Sequence, residues 1–124
     1  MSPDPRHELG SRGETLALEH YRRLGFALVT RNHRTRHGEI DLIVCDGRTL
    51  VFAEVKTRRA PGARVSPWDS LHEGKRLQVR RMVRAYLASG AARPRVPGLR
   101  CDAIGVLVDS AGRLVRLDHL EDAF

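Results

Sequence analysis

Cysteine, aromatic residues and long apolar runs are all scarce in this 124-residue sequence, and each scarcity excludes a class of protein. The two cysteines, Cys45 and Cys101, form no C-x-x-C pair, which argues against a zinc site and favours buried free thiols in a reducing compartment. Six aromatic residues are too few for the stacking platform of a single-strand-binding protein. No apolar run approaches the roughly 18 residues of a membrane span, and the N-terminus lacks the apolar core of a secretory signal. These absences predict a cytoplasmic protein with no membrane partner.

Lysine is also scarce, although the chain is strongly basic. Twenty of the 22 basic residues are arginines, and only Lys56 and Lys75 are lysines. The net charge of +7 and the pI near 10.6 predict a polyanionic partner, and nucleic acid is favoured over a merely arginine-rich composition. Lysine is a compact point charge that can lose its proton, whereas arginine stays charged, so a lysine retained among arginines suggests a specific role.

The apolar periodicity predicts a single α/β domain over residues 1–124, with residues 1–6 disordered. Helical spacing covers residues 8–24 and 69–88, and strand-like runs cover residues 26–35, 38–45, 48–57, 100–108 and 113–117. Residues 58–67 read as a basic loop that contains proline and glycine. The element order α-β-β-β-α-β-β predicts a mixed sheet flanked by two helices.

The hairpin predicted around Asp46-Gly47 is the most informative segment. This dipeptide favours a two-residue type I′ turn, which would pair Cys45 with Arg48. The same register places residues 41 and 54 diagonally across one face of the hairpin, with Cβ atoms about 7–8 Å apart. A change of one residue in the register would instead put them on opposite faces.

Asp41, Glu54 and Lys56 are the candidate site residues of that hairpin. Two carboxylates on one face can bind a hard cation from two sides, and a lysine two residues further along the strand reaches the same point. E-x-K alone is also typical of a solvated ion pair on a strand, and that alternative stays open. Glu14 lies at the border of the apolar stripe of the first helix, where it could reach over the sheet edge or remain solvated.

Basic residues elsewhere are candidates for phosphate contacts. The second helix carries arginines at an i, i+4, i+8 spacing, whose like charges repel one another unless an anion or neighbouring acids neutralise them. A lysine in the first turns of that helix opposes the helix dipole, which favours a role in facing a ligand. The predicted nucleic-acid-binding residues are Arg34, Arg58, Arg59, Arg64, Lys75, Arg76, Arg80 and Arg84.

Residues 38–43 (GEIDLI) and 50–58 (LVFAEVKTR) are similar to the YraN family of small bacterial proteins. That family resembles archaeal Holliday-junction resolvases and, more widely, the restriction-endonuclease-like PD-(D/E)xK superfamily. The resemblance implies a restriction-endonuclease-like core. It also implies that Glu14, Asp41 and Glu54 bind Mg²⁺ or Mn²⁺ and that Lys56 is the catalytic lysine.

Three functions are therefore considered for the chain. The first is a metal-dependent nuclease that hydrolyses DNA, with branched or otherwise structured DNA among its candidate substrates and a homodimer as its candidate assembly. The second is a nucleic-acid-binding module of the same fold that does not cleave. The third is a basic partner of RNA or of the ribosome. The three acids favour the first function, because acids repel phosphates unless a cation is present.

Overall fold

Two helices and five strands make up the computed structural model, which describes residues 4–61 and 71–124. The elements are α1 (Pro5–Arg23), β1 (Ala27–Thr35), β2 (Gly38–Cys45), β3 (Thr49–Arg59), α2 (Glu73–Ala88), β4 (Gly98–Val108) and β5 (Leu114–Leu120). This order confirms the predicted α-β-β-β-α-β-β arrangement and matches that expected of a restriction-endonuclease-like core.

Helix α1 begins earlier than predicted. The Asp4 side chain accepts a hydrogen bond from the backbone N–H of Arg6 at 2.9 Å, and Pro5 occupies the first turn, where its fixed φ suits a helix. The segment predicted to be disordered therefore contributes residues 4–6 to the helix start, while residues 1–3 lie outside the described part of the chain. The predicted helix start at residue 69 also lies outside it, and α2 begins at Glu73 with His72 as its N-cap.

The sheet has the strand order β1-β2-β3-β4-β5, and only β3 and β4 are parallel. Helix α2 connects these two parallel strands, as a crossover connection must. The two helices cover opposite faces of the sheet. Leu16, Ala17 and Tyr21 of α1 bury one face, whereas Val79 and Met82 of α2 bury the other. No helix within the described residues is long and apolar enough to cross a bilayer.

The register between β2 and β3 differs from the predicted one. Cys45 pairs with Leu50 rather than with Arg48, so residues 46–49 form a longer loop. The Asp46 carboxylate accepts hydrogen bonds from the backbone N–H groups of Arg48 at 2.9 Å and Thr49 at 2.8 Å, which stabilises this wider turn. The shift is by two residues, so the paired residues 42–45 and 50–53 keep their predicted faces. Beyond them the alternation breaks, because Ile40 packs on the α2 side although Leu42 packs on the α1 side.

Strands β2 and β3 separate before either of them ends. Their pairing stops at Leu42 and Ala53, whereas β3 stays paired with β4 as far as Arg59. The first residues of β2 continue to pair with β1. A fork therefore opens in the sheet between residues 38–41 and residues 54–59, and both hairpin acids lie at its base.

Candidate active site at the strand fork

Three carboxylates from three different elements lie close together at this fork. Glu14 comes from α1, Asp41 from β2 and Glu54 from β3, and the charges of Glu14 and Glu54 both raise the pKa of Asp41. The Glu14 and Glu54 side chains are only 12% and 15% exposed. In the observed register Asp41 and Glu54 are the first opposed positions beyond the Leu42–Ala53 pair, so they lie across the fork from each other rather than diagonally as predicted.

The Asp41 carboxylate replaces a backbone hydrogen-bond acceptor that is missing where β2 and β3 separate. Its carboxylate Oδ2 accepts a hydrogen bond from the backbone N–H of Val55 at 2.8 Å, which β2 would otherwise have satisfied with a carbonyl. Burial is the main cause that raises the pKa of Asp41 to about 8, with the charges of Glu54 and Glu14 adding to it. The hydrogen bond from Val55 and the charge of Lys75 lower this pKa, but by less than burial raises it. In the absence of a bound cation, Asp41 therefore holds its proton near neutral pH.

Glu54 forms an ion pair with Lys75, a residue predicted from the sequence to bind nucleic acid. Lys75 Nζ lies 3.1 Å from Glu54 Oε2 and donates to Gln78 Oε1 at 3.3 Å. Burial raises the pKa of Glu54 although the charge of Lys75 acts in the opposite direction. The other oxygen, Glu54 Oε1, is buried without a hydrogen-bond partner among the described residues. One carboxylate oxygen of Glu54 is therefore left unsatisfied, and such buried oxygens are rare unless a water or an ion satisfies them.

Glu14 is held by the side chain of Asn32. The Asn32 amide lies 3.1 Å from both Glu14 oxygens and 3.0 Å from Glu39 Oε1, and Arg31 Nη2 lies 3.6 Å from Glu14 Oε1. Asn32 has a φ of +51°, a conformation that asparagine tolerates better than most residues. This backbone conformation breaks the strand alternation, so the residues on either side of Asn32 point to opposite faces of the sheet. Arg31 hydrogen-bonds to α1, whereas His33 packs edge-to-face against Tyr86 of α2. Sequence reasoning missed Asn32 as a site residue, although asparagine is uncommon inside a strand.

A glycine allows α1 to approach the sheet closely enough for Glu14 to reach the site. Gly13 is buried, and a Cβ atom at this position would overlap the side chain of Thr57 in β3. The backbone of α1 therefore packs directly against β3 beside Glu54, which places Glu14 at the edge of the fork.

Lys56 has a different environment from the three acids. It is exposed, and by strand alternation it lies on the same side of β3 as Glu54. Among the described residues it makes no ion pair. Its ammonium group is therefore accessible to an incoming phosphate.

The predicted phosphate-contacting residues have varied surroundings. Arg76, Arg80 and Arg84 are exposed along α2, and the Arg34 side chain is 90% exposed with Glu39 3.7 Å away. Arg58 is half-buried and bonds to the carbonyl of Thr57, whereas Arg59 turns toward the β4–β5 loop and donates to the Ser110 carbonyl. Arg64 lies outside the described residues. Of the described members of this set, only Lys75 contacts the three acids, and β3 carries Lys56 and Arg58 along the fork.

The donor set of the fork suits a hard divalent cation. Mg²⁺ and Mn²⁺ prefer carboxylate oxygens and need only one or two of them from the protein. Within residues 4–61 and 71–124, no three His, Cys, Asp or Glu side chains are already gathered at ligand distance. The contacts explain this, because Glu14 is drawn to Asn32 and Glu54 to Lys75, while unscreened carboxylates repel one another. The lone Glu54 Oε1 is the oxygen most ready to accept a cation.

A second polar cluster lies away from the fork, on the face covered by α1. Asp102 is fully buried and bonds to Tyr21, Arg100, His119 and the backbone N–H of Asp122. Burial alone would raise its pKa, but these hydrogen bonds outweigh burial and lower it to about 2. Every oxygen of Asp102 is satisfied, so the cluster joins α1, β4 and β5 as a structural network.

Fold and site together define an α/β protein in which three acids and Lys75 lie where strands of a mixed sheet separate, with Lys56 exposed further along β3. The chain belongs to the uncharacterised protein family UPF0102, which is the YraN family of the resemblance, and the family model matches residues 13–106. That range contains the three acids and both lysines.

Similar proteins cover nearly the whole chain. A UPF0102 protein of Chlorobium limicola is 38% identical over 128 residues, which is 100% of this chain and 96% of the relative. One of Pelotomaculum thermopropionicum is 36% identical and covers 98% of both chains. One of Streptomyces griseus is 41% identical over 107 residues, 86% of this chain and 88% of the relative. These names establish the family and describe no activity.

Proposed function

We propose that this protein is a metal-dependent nuclease that hydrolyses phosphodiester bonds in DNA. The observation that carries the proposal is the group of three largely buried carboxylates, one with an unpartnered oxygen, in a chain of net charge +7. Such acids repel phosphates and one another unless a cation binds among them. A protein that only held nucleic acid through its arginines would gain nothing from them.

Each site residue then has a chemical role. Glu14, Asp41 and Glu54 would hold Mg²⁺ or Mn²⁺, which supplies a water of lowered pKa and neutralises phosphate oxygens. Lys56, exposed on the same side of β3 as Glu54, binds the scissile phosphate and stabilises the negative charge that grows in the transition state. Asn32 positions Glu14 by bonding to both of its oxygens.

The nucleic acid would lie along the open side of the fork. The exposed arginines of α2 point outward on the same side of the sheet as Lys75, and they suit a phosphate backbone. Contacts of this kind are steeply salt-dependent and read little sequence. We favour DNA over RNA as the substrate because the family resembles junction resolvases. Symmetric cutting of a four-way junction would require a two-fold dimer.

The test is cleavage of labelled four-way-junction DNA, duplex DNA and structured RNA by wild type and Glu54→Gln, with and without Mn²⁺. We expect Mn²⁺-dependent cutting by wild type and a loss of at least about 100-fold in the variant, because one acid contributes directly to the metal site. Glu73→Gln is the control. Glu73 is an exposed acid at the start of α2, so this variant should cleave as wild type does.

The outcomes separate the three candidate functions. Cutting that persists in Glu54→Gln would overturn the site assignment. Tight DNA binding without cutting by the wild type would favour the non-cleaving module, and a preference for structured RNA would favour the RNA or ribosome partner. Gel filtration with light scattering on the same samples measures whether the cutting species is a dimer.

A further inference from the structure

We propose that Lys75 is an internal counter-ion of Glu54 that holds the metal-free site together and that a divalent cation must displace. This inference rests on the proposed metal site. It assigns to Lys75 a positioning role at the fork in place of the phosphate contact expected from its sequence position.

The Lys75–Glu54 pair is largely shielded from water. Lys75 Nζ and Glu54 Oε2 are 3.1 Å apart, and the two side chains are 25% and 15% exposed. Because solvent screening is reduced at such positions, the pair contributes more than an exposed ion pair would. Lys75 lies in the first turn of α2, where a cation opposes the helix dipole, so the helix itself does not favour it there.

Gln78 orients the lysine toward the acid. Gln78 Nε2 donates to the carbonyl of His37 at 2.9 Å, which fixes the amide so that its Oε1 accepts from Lys75 at 3.3 Å. This hydrogen bond anchors the Lys75 side chain to the turn between β1 and β2. The ammonium group therefore has a second acceptor that remains available when Glu54 is taken by another cation.

The pair neutralises the fork incompletely. Lys75 contacts only Glu54 Oε2, and Glu54 Oε1 remains without a partner among the described residues. A divalent cation brings twice the charge and can use the unpartnered oxygen, so it competes favourably with the ammonium group for Glu54. The lysine must then leave Oε2, since both cations cannot stay within contact distance of the same oxygens without strong repulsion.

Lys75→Met tests this competition through stability and metal affinity, with no need for a cleavage assay. Thermal unfolding is followed during Mg²⁺ titration at pH 9, where binding raises Tm by mass action. Without Mg²⁺ the variant should melt below wild type, because Glu54 loses its counter-ion. Its apparent affinity for Mg²⁺ should be at least about tenfold tighter, because the repelling charge is gone. Arg76→Met is the matched control, with the same charge loss one residue away on an exposed position, and should bind Mg²⁺ as wild type does.

A second measurement uses the scarcity of lysine in this chain. Labelling lysine at ¹³Cε gives only two NMR signals, from Lys56 and Lys75, which a Lys56→Arg variant assigns. The Lys75 signal should move as Mg²⁺ saturates the wild-type protein. This measurement decides the matter if Lys75→Met does not fold.

The outcomes distinguish this inference from the proposed function. If the wild type binds Mg²⁺ but Lys75→Met binds it equally well or more weakly, the displacement is overturned while the metal site stands. The same holds if Mg²⁺ binds and the Lys75 signal does not move. No Mg²⁺ binding by either protein would overturn the metal site itself, and the displacement with it.

Discussion

Asp41 is the site residue whose pKa the fold shifts to near neutral pH. Burial, followed by the charges of Glu54 and Glu14, raises its pKa from 3.8 to about 8. Between about pH 4 and pH 8 the folded protein therefore keeps a proton at Asp41 that the unfolded chain releases. The stability that this group contributes is present at the acid end of that window and is lost as the pH rises toward 8.

Asp41→Asn should remove this pH dependence. The amide resembles the protonated carboxyl group, and its oxygen can still accept the hydrogen bond from Val55. Without divalent cations we expect the variant to melt about 4 °C or more above wild type at pH 9 and equally with it near pH 4. Circular dichroism melts across this range measure the difference, and an offset that stays constant with pH would contradict the assignment.

Asp46→Asn is a control of opposite sign. The backbone N–H groups of Arg48 and Thr49 lower the pKa of this exposed loop carboxyl. Its contribution is therefore present above the ordinary pKa and lost in acid. The variant should be less stable than wild type at neutral pH, and the difference should shrink as the pH falls.

At the scale of elements, the distance between α1 and β3 decides whether Glu14 reaches the fork. Gly13 faces Thr57 with no room for a Cβ atom, whereas nothing lies within 4 Å of a Cβ atom built at Gly10. The two glycines belong to the same helix, one turn apart, and only Gly13 abuts β3. They form a natural pair for testing how closely the helix must pack.

Gly13→Ala should push α1 away from β3 and cost about 1–3 kcal/mol, as overpacking typically does. Glu14 would move with the helix, so Mg²⁺ should bind more weakly. Gly10→Ala should be neutral or stabilise the helix by up to about 1 kcal/mol, because alanine is the better helix former. Urea unfolding and Mg²⁺ titration of both variants measure the two effects, and equal behaviour of the pair would argue against the close approach.

At the scale of the whole molecule, the site acids and the exposed arginines of α2 occupy different places. Glu14, Asp41 and Glu54 lie at the fork, whereas Arg76, Arg80 and Arg84 lie exposed along α2. A chain of net charge +7 attracts DNA from any direction, but only one surface can hold it next to the site. The salt dependence of binding counts the phosphate contacts on that surface.

Changing all three α2 arginines to glutamine should reduce the slope of log K against log salt by up to about 2.7, or roughly 0.9 for each lost phosphate contact. The control triple, Arg12, Arg22 and Arg23 to glutamine, removes the same charge from α1 on the other face of the sheet. It should change the slope much less. Fluorescence anisotropy of labelled duplex DNA at several salt concentrations measures both, and equal slopes for the two triples would place the DNA elsewhere.

Local patterns in the sequence were sufficient for the element order and for the sharing of one face by Glu54 and Lys56. These features depend on residues a few positions apart, which helical and strand periodicity record directly. The same patterns placed Asp41 and Glu54 on one face but in a diagonal register, which was wrong by two residues. The third acid, Glu14, was assigned to the site only by the family resemblance. The loop at residues 46–49 depends on how the Asp46 side chain caps its own backbone, and a favoured dipeptide does not specify that choice.

The sequence by itself therefore determined the charge, the order of elements and the residue types of the candidate site. Only the tertiary structure decided that β2 and β3 separate beyond the Leu42–Ala53 pair, that Lys75 pairs with Glu54, and that Asn32 holds Glu14. Glu14 and Asn32 are 18 residues apart, and Lys75 reaches Glu54 from a different element of the fold, α2. Such contacts arise from the packing of whole elements, to which each residue contributes only a small part of the free energy, so no short stretch of sequence encodes them.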